Sequence, residues 1–157
     1  MKHFTTALAA IGLFTATGAI AAPDNPAAPA RAFIAAFNKG DIAGARAAHE
    51  ADISIMDEMP PHIWRGPAAF DEWVAALTSY GKAHGRTNEK VTLGAARVAT
   101  VAGDRAYVVV TALYTFADKG KPMREPATMT FAVHRGAAGW KIAGWSWNGT
   151  VPQRAGK

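Results

Sequence analysis

The sequence predicts an α+β domain in which helices from the front of the chain cover one face of a curved antiparallel sheet formed by the rear. Two patterns carry this reading. Apolar residues between Ala30 and Tyr80 recur at three- and four-residue steps, the helical period, whereas from Val91 onward they fall in long β-rich runs divided by short polar turns. Composition is the third observation: with 157 residues, 50% of them apolar and 18% charged, the chain can build one hydrophobic core.

The chain opens with Lys2 and His3 ahead of an uncharged stretch from Phe4 to Ile20, which closes on Ala19-Ile20-Ala21, the small-x-small pattern a signal peptidase cuts. Residues 1–22 are therefore expected to be a signal peptide, cleaved after Ala21 or Ala22. Thr5, Thr6, Gly12, Thr15, Thr17 and Gly18 make the run weak as a retained anchor, and no later segment approaches the ~20 apolar residues that span a bilayer. A periplasmic or secreted protein with no membrane attachment after signal cleavage is expected.

Residues 23–29, rich in Pro and Ala, read as a linker, residues 30–151 as the domain and residues 152–157 as a C-terminal tail. Ala30, Phe33, Ile34 and Phe37 share a helical face that Asn38-Lys39-Gly40 stops. Asp41 can cap a second short helix bearing Ile42, Ala45 and His49 on one face. Ile53 to Met56 is a β-rich run, Pro60-Pro61 breaks it, and His62 to Arg65 forms a second short strand. Pro67 suits the first turn of a helix, and Phe70, Trp73, Val74, Leu77 and Tyr80 give that helix the clearest apolar stripe in the chain. Four strands follow, over Val91–Val101, Ala106–Ala117, Arg124–Arg135 and Trp140–Thr150, joined by hairpin turns.

Several chemistries drop out. With no cysteine there is no disulfide, thiolate nucleophile or Cys-based metal site. The net charge of +5 falls to +4 once Lys2 leaves with the leader, and the remaining basic residues form no run, so no nucleic-acid partner is expected. His49, His84 and His134 lack metal-ligand spacing, and neither metal nor cofactor is expected. Ser54, Ser79 and Ser146 have no evident base and acid partners, and no Gly-rich phosphate loop follows a strand.

The order of elements, with Ala30-Arg31-Ala32-Phe33-Ile34-Ala35-Ala36-Phe37-Asn38-Lys39-Gly40-Asp41, Asp52-Ile53-Ser54-Ile55-Met56-Asp57, Arg65-Gly66-Pro67-Ala68-Ala69-Phe70 and Gly139-Trp140-Lys141-Ile142, resembles the SnoaL-like, nuclear-transport-factor-2-like or cone-fold superfamily. The first half is closest to the ketosteroid isomerases within it. The resemblance implies a cone-shaped curved antiparallel sheet packed against three N-terminal helices, with an apolar pocket inside. It also implies that Asp57 stands at the isomerases' general-base position. Those isomerases pair the base with a tyrosine and a protonated aspartic acid as an oxyanion hole. Here the corresponding places fall to Phe33 and near Met129, neither of which can donate, and one such donor is worth about 2.7–4 kcal/mol in the transition state.

Asp57 remains the candidate base or acceptor, because alternation along Ile53, Ile55 and Asp57 aims it inward. His62, across the Pro60-Pro61 turn, is the candidate second catalytic group, since an Asp can orient an imidazole as a base. Phe33, Trp64, Trp73, Met129 and Trp147 are the candidate ligand-binding residues, an aromatic wall suited to a small apolar or aromatic organic molecule.

Three functions fit. The leading one is an exported SnoaL-like domain binding a small, largely apolar ligand in an aromatic-lined pocket. The second is an isomerase, dehydratase or cyclase using Asp57, with or without His62, as general base. The third is a non-catalytic dimerisation or accessory module, because the strand over 106–117 is apolar on both faces and wants cover on each; a homodimer is expected.

Overall fold

The computed structural model describes residues 25–156. The expected signal peptide and the first residues of the expected linker lie outside them. Three helices come first: α1 (Ala28–Phe37), α2 (Ile42–Ala47) and, after the strands β1 (His49–Met56) and β2 (Ile63–Gly66), α3 (Ala69–Ala83). The strands β3 (Arg86–Ala102), β4 (Arg105–Asp118), β5 (Lys121–Gly136), β6 (Gly139–Gly149) and β7 (Gln153–Arg154) complete the chain. One seven-stranded sheet runs in the order β2-β1-β6-β5-β4-β3, with β7 on β5. Every pairing is antiparallel except β1 with β6.

Several boundaries differ from the sequence reading. Ala28 and Pro29, assigned there to the linker, belong to α1, which has Pro in its first turn. Asp41 does cap α2, its Oδ1 accepting from Gly44 N at 2.8 Å, but the helix stops at Ala47. His49 is therefore the first residue of β1 rather than a helical residue, and β1 begins four residues before Ile53. β3 likewise begins at Arg86 instead of Val91, which brings Arg86, Glu89 and Lys90 onto the sheet.

The core lies between the helices and the concave face. Phe33 on α1 is its hub, with the rings of Phe37, His49, Phe70, Trp73 and Trp145 all centred between 4.7 and 6.2 Å away. On β1, Ile53 and Ile55 point inward and are buried. On β5 the inward residues are Glu125, Ala127, Met129, Phe131 and Val133, a strict period of two that includes one acid.

Strand β6 carries a bulge that matters for the site. Ala132 pairs with Gly144 but Val133 pairs with Ile142, so Ala143 has no counterpart on β5. That extra residue reverses the parity of the strand. Before it Trp140 and Ile142 face the core; after it Trp145 and Trp147 do, opposite Phe131 and Met129.

Candidate functional site

The concave face, α1, α3 and the turn after β1 enclose a cavity of about 120 Å³ that opens to solvent. Phe33 and Phe37 from α1, Trp73 and Tyr80 from α3, Tyr114 from β4, Met129 from β5 and Trp145 and Trp147 from β6 supply its apolar wall. Apolar cavities of about 150 Å³ accommodate a single benzene-sized ring, so the enclosed part is suited to one flat group, with the rest of a ligand in the mouth.

Asp57 follows the last residue of β1 and lines this cavity half-buried. Its Oδ2 accepts from Trp73 Nε1 at 2.9 Å and its Oδ1 from Met59 N at 3.1 Å. Two donors on two oxygens fix the carboxylate and leave its remaining lone pairs for a ligand. Of the other residues anticipated from sequence, Phe33, Trp73, Met129 and Trp147 also line the cavity. Two do not. Trp64 is buried on β2 away from the lining. His62 is exposed at a positive φ of 74°, with its Nδ1 3.3 Å from the Asp57 carbonyl oxygen. The turn between β1 and β2 brings His62 to the Asp57 backbone instead of its carboxylate, so the two do not form a side-chain pair.

Three acids near Asp57 were not singled out from sequence. Glu58 is the next residue; its carboxyl end turns inward and lines the cavity although the residue as a whole is exposed. Burial of that carboxyl first, then the charges of Glu125 and Asp57, raises its pKa to about 7. Glu125 is fully buried, with Oε1 accepting from Trp147 Nε1 at 3.0 Å. Burial pushes its carboxyl above the ordinary range, while the Trp147 hydrogen bond pulls the other way. Glu89 accepts the Tyr114 hydroxyl, and burial followed by this bond raises the tyrosine. Period-two counting back from Met129 would have placed Glu125 on the inner face; the others required the true start of β3 and the path of the turn.

His49 is core, not site. Its Nδ1 lies 2.9 Å from the Ala45 carbonyl, its ring packs against Phe33 and Phe70, and burial lowers its pKa to about 4, so it stays neutral at physiological pH. Among the described residues no group of three or more His, Asp or Glu side chains is arranged to hold a metal ion.

The family model described as the SnoaL-like domain matches residues 30–145. The chain belongs to this family. Solved structures agree on the fold of this SnoaL-like domain. A type 2 hexachlorocyclohexane dehydrochlorinase superposes with a TM-score of 0.66 at 12% identity, over 82% of this chain and 88% of that one. A ketosteroid isomerase-like protein from Erwinia carotovora atroseptica gives 0.61 at 21% identity, over 80% and 93%. A nuclear transport factor 2-like superfamily protein from Salmonella enterica serovar Typhimurium gives 0.61 at 17% identity, over 83% and 92%. At such identities the likeness is one of fold, and the fold is the NTF2-like cone: three helices on a curved, open, mostly antiparallel sheet. No curated protein matches the chain by sequence.

Proposed function

We propose that this SnoaL-like domain is an exported binding domain for a small, largely apolar organic molecule. The observation that carries the proposal is the cavity itself, walled by Phe33, Trp73, Met129, Trp145 and Trp147 with carboxylates at one side. Phe33 and Met129 in the wall leave it without a hydroxyl or carboxyl donor at those two places, which favours holding a ligand over stabilising an enolate. Export is proposed from the leader pattern of residues 1–22.

A thermal-shift screen against aromatics, steroids, terpenoids and polyketides tests this directly. A ligand at 100 times its Kd adds about 2.7 kcal/mol, or about 8 °C for a domain of this size. A Leu77→Trp variant, which fills the cavity from α3, is expected to keep the fold and lose the shift. A screen in which every class is silent would overturn the proposal.

One observation favours proton transfer as a second reading. Adjacent residues Asp57 and Glu58 face one cavity in different environments, Asp57 fixed by two donors and Glu58 with its pKa near 7, a division that suits a base and an acid. Turnover unchanged by both Asp57→Asn and Glu58→Gln would exclude it. A homodimer is proposed through the exposed end of the β3–β4 ribbon, where Val98, Val101 and Tyr107 are 42, 51 and 51% exposed. Sedimentation as a monomer at micromolar concentration would refute that.

A further inference from the structure

Three indoles line the cavity, those of Trp73, Trp145 and Trp147, and the fold supplies an acceptor to two of them. Trp73 Nε1 donates to Asp57 Oδ2 at 2.9 Å, and Trp147 Nε1 donates to Glu125 Oε1 at 3.0 Å. The second bond shapes its surroundings. Glu125 is fully buried to accept it, and a Cβ at Gly149 would collide with Glu125 Oε1, Glu58 Oε2 and Trp147 Nε1. Only glycine leaves that acceptor its place.

The third indole has no such provision. Trp145 is 5% exposed, and its Nε1 is buried without a hydrogen-bond partner. The groups packed on it offer no acceptor: the rings of Phe33 and Trp73 are centred 5.7 and 4.9 Å away, and its register neighbours on β5 and β1 are Phe131 and Ile55. A buried donor whose bond is never made carries its full desolvation cost. In a cavity wall, such a hydrogen calls for an acceptor that arrives with the ligand.

The charge of the lining decides which kind of acceptor. Arg86 and Lys90 on β3 stand with Asp57, Glu58 and Glu89, and Arg86 already acts on Glu58 and Glu125. Its guanidinium is also committed to the rings of Tyr80, Tyr114 and Phe116, at 5.0, 5.8 and 4.4 Å. Two cations against three acids, one of them titrating near 7, leave the lining between neutral and one negative charge. An ion of either sign would give up its water for a nearly balanced field, so an uncharged ligand is favoured. The other neutral donors are engaged, Tyr114 with Glu89 and Asn38 with the Val91 carbonyl.

We infer that Trp145 Nε1 is the anchoring donor of the cavity and that the ligand is a neutral carbonyl compound, its oxygen on the indole and its flat apolar body against Phe33, Met129 and Trp147. This rests on reading the cavity as a ligand site and names the ligand's class. A carbonyl oxygen ends a flat group, offers two lone pairs and, unlike a hydroxyl, brings no hydrogen that must also be placed. Trp145 thus does from β6 what Phe33 and Met129 cannot do from α1 and β5.

The test is titration by thermal shift with acetophenone, α-methylstyrene, benzoate and benzamidine, which share a flat body and differ in the handle. Acetophenone is expected to bind at least as tightly as α-methylstyrene, although the alkene is the more water-averse, and more tightly than either ion. Trp145→Phe should weaken acetophenone about fivefold, the worth of one neutral hydrogen bond, and leave α-methylstyrene unweakened. A second measurement stands if that variant does not fold. In the wild type, the Trp145 indole proton, assigned through its own ring in NMR spectra, should move further to lower field with acetophenone than with α-methylstyrene. An alkene that binds more tightly than the ketone, a ketone affinity unchanged by Trp145→Phe, or equal movement of the indole proton overturns the inference while the binding proposal stands. Benzoate or benzamidine as the tightest of the four overturns it in favour of an ionic ligand. Silence of all four overturns it when the broader screen finds a ligand, and removes the binding proposal as well when that screen is silent.

Discussion

Glu125→Gln is expected to stabilise the domain at pH 8 and leave it unchanged at pH 5. The glutamine keeps the oxygen that accepts from Trp147 and removes the charge that faces Glu58 across Gly149. Repulsion between two unit charges at about 4 Å is worth about 1 kcal/mol in water and about 4 kcal/mol at an effective dielectric of 20. One side of the pair is open to solvent at Glu58, which places the effect near the lower end, about 1–2 kcal/mol, or about 3–6 °C in Tm. The pH dependence follows from the sign of the shifts. Both carboxyls have folded pKa values raised above 4.5, so the folded state binds protons more tightly and loses stability as pH rises from there through about 7, where Glu58 titrates. At pH 5, well below about 7, Glu58 is neutral in the wild type, so there is little repulsion for glutamine to relieve. Thermal melts of wild type and variant across pH 5–8, with the Glu58 side-chain carboxyl followed by carbon NMR, read both halves: the Tm gap should open with pH, and the Glu58 midpoint should fall below 7. A gap of the same size at both ends, or a variant less stable at pH 8, would refute the charge pairing.

Trp73→Phe removes the indole donor from Asp57 and opens space in the wall; a loss of about 2–4 kcal/mol in urea unfolding is expected, with at least about 1 kcal/mol of coupling to Asp57→Asn in a double-mutant cycle. Additive effects would show that the 2.9 Å contact carries no energy. Gly144→Ala places a Cβ 2.8 Å from the Ser54 carbonyl oxygen, where β6 lies parallel to β1, and should cost about 1–3 kcal/mol; a change under about 0.5 kcal/mol would mean the two strands part easily. His134 lies 2.6 Å from Glu50 and 3.1 Å from Asp104, and these bonds raise its pKa above 6.5. Its stabilising contribution is therefore complete below the unfolded value and lost as pH rises through the folded one; ring-proton NMR should place the midpoint above 6.5, and Glu50→Gln should lower it.

Most of the fold was legible because each half of the chain keeps one period. Phe33, Ile34 and Phe70 mark helices and Val108, Val110 and Ala112 mark a strand, and the structure uses them so. Boundaries failed where local chemistry gave no signal: Ala28 and Pro29 look like linker, and His49 continues a helical stripe that the backbone abandons at Ala47. Asp57 stood out as a carboxylate after two inward isoleucines. Glu125 did not, because it sits between Arg124 and Pro126 at the start of the expected strand, and only the alternation carried back from Met129 turns it inward. The inward turn of both Trp145 and Trp147 depends on one unmatched residue, Ala143, whose bulge only strand pairing reveals. His62 was misplaced for a related reason, since proximity in sequence said nothing about which way the Pro60-Pro61 turn would send its ring.

The parallel pairing of β1 with β6 sets when the cup can exist at all. Ile55 and Met56 lie beside Trp145 and Ser146, residues from opposite ends of the domain, while every hairpin from β3 to β6 joins near neighbours. A chain leaving the ribosome can therefore assemble its meander strand by strand, yet Asp57 has no floor beneath it until the last long strand arrives. Loss of even the final dozen residues would take Trp147 and Gly149 from the cup and leave Met56 without its partner on β6, just where the chain enters Asp57.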